Sequence, residues 1–211
     1  MKPQARSYRF LLYALLVLAP LLSGAQMATS QIRLTLADES QLWIEGSSSV
    51  NTFTCEAGTI DGTGFLESET APDSREAAAE LTVPVRQFDC GKSRMNKDLY
   101  DALKAETYPQ IRFRLSKAEL AAPTTDTGAY PLPLRVTGRL TIAGKERPVT
   151  LAVQGHQQPN GTYQATGSLP LLMSDFGVDP PTALLGLIKA HDAITVHFNL
   201  IAIPQASSSS N

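Results

Sequence analysis

The sequence is poor in the residues from which reactive sites are assembled: its 211 residues hold two cysteines and three histidines. His156, His191 and His197 stand at no metal-ligand spacing to one another, to a cysteine or to a carboxylate, so no zinc motif is present. The serines after Gly46 lack a nucleophile-elbow pattern, and Gly58, Gly62 and Gly64 do not open a helix as a phosphate loop would. With no acid-base pair to place, the chain reads as a binding protein rather than an enzyme, and no cofactor is implied. Charge is also sparse, 18% of residues with a formal net charge of −2, which argues against a nucleic-acid partner.

Long apolar runs are absent except at the start. Lys2, Arg6 and Arg9 precede an uncharged stretch from Phe10 to Leu22, the order of a secretory signal peptide. Small residues at Ser23 and Ala25 place the expected cut between Ala25 and Gln26, giving a signal peptide over 1–25. No cysteine follows the run, which argues against a lipoprotein anchor, and Ser23, Gly24, Gln26, Thr29, Ser30 and Gln31 disfavour an uncleaved membrane span. Without residues 1–25 the chain keeps fifteen basic and twenty acidic residues. One domain over 26–204 is expected, followed by a disordered Ser-rich tail over 205–211, in a periplasmic or secreted protein.

What is present is alternation. Ile111, Phe113 and Leu115 alternate with Arg112, Arg114 and Ser116, the period of two of a half-buried strand. Val136, Gly138, Leu140 and Ile142 share one face, and Val149, Leu151 and Val153 repeat it after Ala143-Gly144-Lys145, a hairpin turn. Ile194, Val196, Phe198 and Leu200 form the clearest strand, with His197 on its polar face as a solvated residue. Further strands are expected over 31–36, 49–57, 62–67, 79–85 and 163–169. Strands with one apolar face each must close around a shared interior as a barrel or sandwich.

Two segments depart from this pattern. Met95, Leu99, Ala102 and Leu103 make a helical stripe over 93–106, with Ser93 or Asn96 as N-cap and Pro109 beyond its end. A shorter helical segment is expected over 182–190, rich in Leu and Ile after Pro180 and Pro181. Cys55 and Cys90, a lone pair in an exported chain, are expected to form a disulfide. Asn160-Gly161 reads as a hairpin turn rather than a glycosylation acceptor.

The order of motifs is specific. Leu81-Thr82-Val83-Pro84-Val85 is followed by Tyr108-Pro109-Gln110-Ile111-Arg112-Phe113, then Gly138-Arg139-Leu140-Thr141-Ile142-Ala143-Gly144, then Ser174-Asp175-Phe176-Gly177. Over 41–203 the chain resembles the YceI family of lipocalin-like proteins. That resemblance implies an all-β fold, an antiparallel eight-stranded barrel, and an apolar, isoprenoid-like lipid ligand in the lumen. Candidate lining residues are Phe53, Phe65, Leu81, Val83, Ile111, Phe113, Val136, Leu140, Val196 and Phe198, with Leu99, Leu103, Phe176, Leu184 and Leu187 near the mouth. Core packing competes with ligand contact for every one of them. A barrel filled by its own side chains, serving as a stress-related or structural protein-interaction module, is the alternative, and a homodimer is left open.

Overall fold

The computed structural model describes residues 30–68, 77–121, 131–183 and 187–205. The proposed signal peptide, Leu184 and the tail from residue 206 on lie outside the described residues. Twelve strands appear in chain order: β1 (Ser30–Leu36), β2 (Gln41–Ser48), β3 (Thr52–Ala57), β4 (Asp61–Ser68), β5 (Ala77–Pro84), β6 (Phe88–Asp89), β7 (Gln110–Leu120), β8 (Leu132–Ile142), β9 (Lys145–Gln157), β10 (Tyr163–Leu172), β11 (Thr182–Ala183) and β12 (Ile188–Gln205). Helix α1 spans Ser93–Ala102.

The strands make eight antiparallel staves. Three are broken in two: β1 with β2, β3 with β4, and β5 with β6. β2 pairs β3 while β1 pairs β4, and β4 pairs β5 while β3 pairs β6, so the halves continue one another. The meander then runs through β7, β8, β9 and β10 to β12, the longest strand. β12 closes the barrel by pairing β2 over 190–199 and β1 over 202–205. At the break between β1 and β2, the Ile201 backbone would lose its partners. The Ala37 N–H and the Ser40 hydroxyl both donate to its carbonyl, and its N–H donates to Ser40 Oγ, so no ladder group is left unpaired there.

Local chemistry fixes the turns. Ala143 and Gly144 both take positive φ, 47° and 78°, as a two-residue hairpin between β8 and β9 requires. Asn160 Oδ1 accepts from the Thr162 N–H and hydroxyl, and Gly161 has φ of 86°, so Asn160-Gly161 is a turn.

Several expectations are corrected. Residues 41–48 form β2, which alternation had not singled out, and the strand expected over 49–57 begins at Thr52. The helix ends at Ala102, four residues before Glu106. Lys104 takes φ of 54°, the Ala105 N–H donates to Tyr100 O and the Lys104 N–H to Asp101 O, a Schellman ending. Its N-cap is Lys92, with no side-chain cap; Asn96 Oδ1 instead accepts from the Cys90 N–H. The second helical segment is absent among the described residues. β11 pairs the start of β12 through Thr182 with Lys189 and Ala183 with Ile188, so a ladder, not a helical turn, satisfies the backbone there although Leu184, Leu187 and Ile188 stand at helical spacing.

Candidate functional site

The barrel interior is hollow. A cavity of about 900 Å³ is lined from all eight staves and from the apolar stripe of α1. Its walls follow from register: β12 presents Ile194, Val196, Phe198 and Leu200, β8 presents Leu134, Val136 and Leu140, and β9 presents Leu151 and Val153. In β7 the phase changes. The register shift between Leu115 and Lys117 turns Ala118 and Leu120 onto the face that Ile111, Phe113 and Leu115 occupy before it. Without that bulge Lys117 would point inward. It lies instead in an ion pair with Glu119, 2.6 Å away.

Glycines give the cavity its shape. Gly46 stands opposite Phe53 and Gly167 opposite Phe198, and in both cases the ring lies where a Cβ would be. At Gly138 a Cβ would come within 2.5 Å of the Phe113 ring and of the Arg114 carbonyl. Each phenyl thus lies across a glycine instead of standing into the lumen, which keeps the interior open.

Packing and chemistry vary along the axis. Val85, Leu103, Ala105, Leu140, Ile142, Met173, Phe176 and Val178 form one buried cluster beside the end of α1, and Ile44, Cys55, Val83 and Phe88 form a second. The walls beyond, including Leu34, Leu66, Leu115, Leu134 and Leu200, are only half-buried because they face the hollow. Polar residues border the cavity at its ends: Ser48, Asn51, Lys92, Arg94 and Asp98 at the helix end, and Glu119, Gln157, Tyr163 and Gln164 at the other.

Thirteen of the fifteen candidate residues border the cavity. Phe53, Leu81, Val83, Ile111, Phe113, Val136, Leu140, Val196 and Phe198 lie on its walls. Leu99 borders it from α1, while Leu103 and Phe176 are buried in the packed cluster and form a floor, not a mouth. Phe65 reaches the cavity from the opposite phase to Gly64 and Leu66 and is 39% exposed, so its ring belongs to the outer surface. Leu187 is 80% exposed and does not border the cavity. Leu34, Leu36, Leu42, Ile44, Leu115, Leu134 and Leu151 line it without having been singled out. For Leu42 and Ile44 the signal was the alternation Leu42, Ile44, Gly46, masked by the outward Trp43.

Cys55 and Cys90 are joined by a disulfide that borders the cavity and ties β3 to the chain entering α1. Nearby, the Asn96 amide and the Gly91 N–H donate to Asp89, holding its carboxyl below the usual carboxylate value. The Ser174 hydroxyl and N–H do the same for Asp192, in the irregular stretch of β12 between Ala190 and Ile194. His197 is not a freely solvated residue. Its ring stacks on Trp43 with centroids 5.1 Å apart, and Nε2 lies 3.3 Å from a Glu45 carboxylate oxygen without an aligned hydrogen bond. Ser47 Oγ lies 2.9 Å from His191 Nδ1, but no carboxylate among the described residues hydrogen-bonds that ring. No group of three or more potential metal ligands occurs among the described residues. No helix of the described residues is long and apolar enough to cross a membrane.

Comparison with solved structures finds the same barrel. BcnA of Burkholderia cenocepacia superposes with a TM-score of 0.61 at 26% identity, covering 78% of this chain and 96% of that one. A polyisoprenoid binding domain from Saccharophagus degradans, implicated in plant cell wall breakdown, superposes with a TM-score of 0.60 at 16% identity, covering 82% and 98%. A comparison with curated proteins returned no match. The YceI-like domain matches residues 30–202, nearly the whole barrel, and the chain therefore belongs to the YceI-like family.

Proposed function

We propose that the protein is an extracytoplasmic carrier that holds a long apolar lipid tail, isoprenoid-like in character, along the axis of the barrel. One observation carries this reading: the cavity of about 900 Å³ is walled by the apolar faces of all eight staves, with polar groups gathered at its two ends. The volume is near the upper end of ligand pockets, roughly 300–1,000 Å³. Burial of hydrocarbon, at about 25 cal/mol per Å², supplies the affinity, and any polar head group belongs at an end. Export is supported by the basic-then-apolar N-terminus and by the Cys55–Cys90 bond, which an oxidising compartment maintains. The hollow interior speaks against a barrel filled by its own side chains, and among the described residues no completed acid-base constellation competes with binding. Native mass spectrometry of protein isolated from its own source tests the proposal. A lipid adduct of roughly polyisoprenoid mass supports it, and protein isolated consistently at its bare polypeptide mass overturns it.

A further inference from the structure

Two turns at the helix end of the barrel each expose an apolar residue. The β2–β3 turn is closed by the Ser48 N–H donating to Asn51 O, and Ser48 Oγ accepts from the Val50 and Asn51 N–H groups. Its tip carries Val50, 65% exposed, where turn chemistry favours Gly, Asn or Asp. In the hairpin formed by β11 and β12, the sequence between Ala183 and Ile188 is Leu-Leu-Gly-Leu, and its last residue, Leu187, is 80% exposed. The turns are neighbours: the Ser49 N–H donates to Lys189 O, and the Lys189 N–H to Ser49 Oγ. The start of α1 lies beside them, because the Cys55–Cys90 bond and the β3–β6 pairing bring the chain at Lys92 alongside the start of β3.

Lys92, Arg94 and Lys189 are all exposed here; Arg94 is paired with Asp98 and Lys189 lies within electrostatic reach of the Asp192 carboxyl, whereas Lys92 has no ion-pair partner among the described residues. At the other end Glu119 borders the cavity and is paired with Lys117. Exposed apolar residues beside the unpaired Lys92, at a cavity border formed by Val50, Asn51, Lys92, Arg94 and Asp98, match the requirements of an interfacial membrane contact.

We propose that the helix end is a docking face for an anionic lipid bilayer, with Val50 and Leu187 entering the acyl boundary and Lys92 and Lys189 facing lipid phosphates. This rests on the carrier reading, since a long apolar chain leaves water-insoluble surroundings most directly where the cavity border beside the start of α1, away from the packed floor at the helix's end, faces the bilayer. Sedimentation of the purified protein with phosphatidylglycerol vesicles, and with phosphatidylcholine vesicles as comparison, tests it. The protein should sediment with the anionic vesicles, less so in high salt, and much less with the neutral ones. Replacing Val50→Asp together with Leu187→Asp should weaken the anionic binding at least tenfold. Ile203→Asp, an equally polar change at the opposite end, should leave it unaltered, with Ile203 40% exposed in the parent. Both changes are on the surface, so circular dichroism should show the parental fold. No sedimentation with anionic vesicles, unchanged sedimentation of the double variant, or loss caused by Ile203→Asp would overturn the docking face. Lipid content read by native mass spectrometry in the same samples separates the two claims: protein that docks through Val50 and Leu187 yet carries no lipid refutes the carrier alone.

Discussion

Val136→Gln places an amide in the middle of the proposed ligand site without touching the packed floor. Val136 pairs with Leu151 and Ala118 on neighbouring strands and is half-buried against the hollow, unlike Leu140, which lies in the buried cluster. In the empty barrel the amide is solvated, so stability should change by less than about 1 kcal/mol. Against a hydrocarbon chain it loses its water without gaining a partner, at a cost of about 1–3 kcal/mol. Affinity should therefore fall about 5- to 150-fold. A fluorescence titration with a pyrene-tagged polyprenol reads this directly, with thermal unfolding followed by circular dichroism on the same samples. A folded variant that binds the probe as tightly as the parent would refute the lumen as the site. So would an Arg135→Gln variant, altered on the outer face of the same strand, that lost as much.

Three further outcomes are expected. Cys55→Ala with Cys90→Ala opens a loop of 35 residues, and the chain-entropy model puts the loss at about 4 kcal/mol, to be read as a lower urea midpoint with a slope that rises as the unfolded chain expands. Lys104→Gly relieves a left-handed residue at the end of α1 and should raise stability by about 1 kcal/mol, seen as a higher Tm. Asp89 and Asp192 have carboxyls lowered below the ordinary 3.8, so their contribution is complete above that value and is lost as pH falls from it through the lowered folded value. Asp192→Asn should then flatten the acid limb of stability against pH measured by urea unfolding, and an unaltered limb would show that the Ser174 bonds do not matter there.

Much of the barrel was legible because its strands have one wet and one apolar side. β8, β9 and β12 declare their inward residues by alternation alone, and the stripe of Met95, Leu99 and Ala102 declared α1. What alternation hides are changes of phase and of backbone. The bulge after Leu115 exchanges which residues of β7 face inward, and nothing in Ser116-Lys117-Ala118 announces it. At Phe65 the apolar ring is on the outer phase while Gly62, Gly64 and Leu66 hold the inward one, and an inward glycine carries no hydrophobic signal that would show it. Trp43 hid β2 by putting an apolar ring on the outer face, where it stacks on His197. Leu187, expected near the mouth, instead stands exposed in the short hairpin between β11 and β12, because its apolar neighbours Leu184, Leu185 and Ile188 read equally well as a helical turn.

The central claim is that the inward face of the barrel holds a lipid tail, and photo-crosslinking tests it most directly. A polyprenol carrying a diazirine along its chain, bound, irradiated and mapped by peptide mass spectrometry, should label inward residues such as Leu134, Val136, Val196 and Phe198. Their outward neighbours Arg135, Thr137, Thr195 and His197 should remain unlabelled. Labelling that ignored this alternation, or that fell on the outer surface alone, would contradict the account.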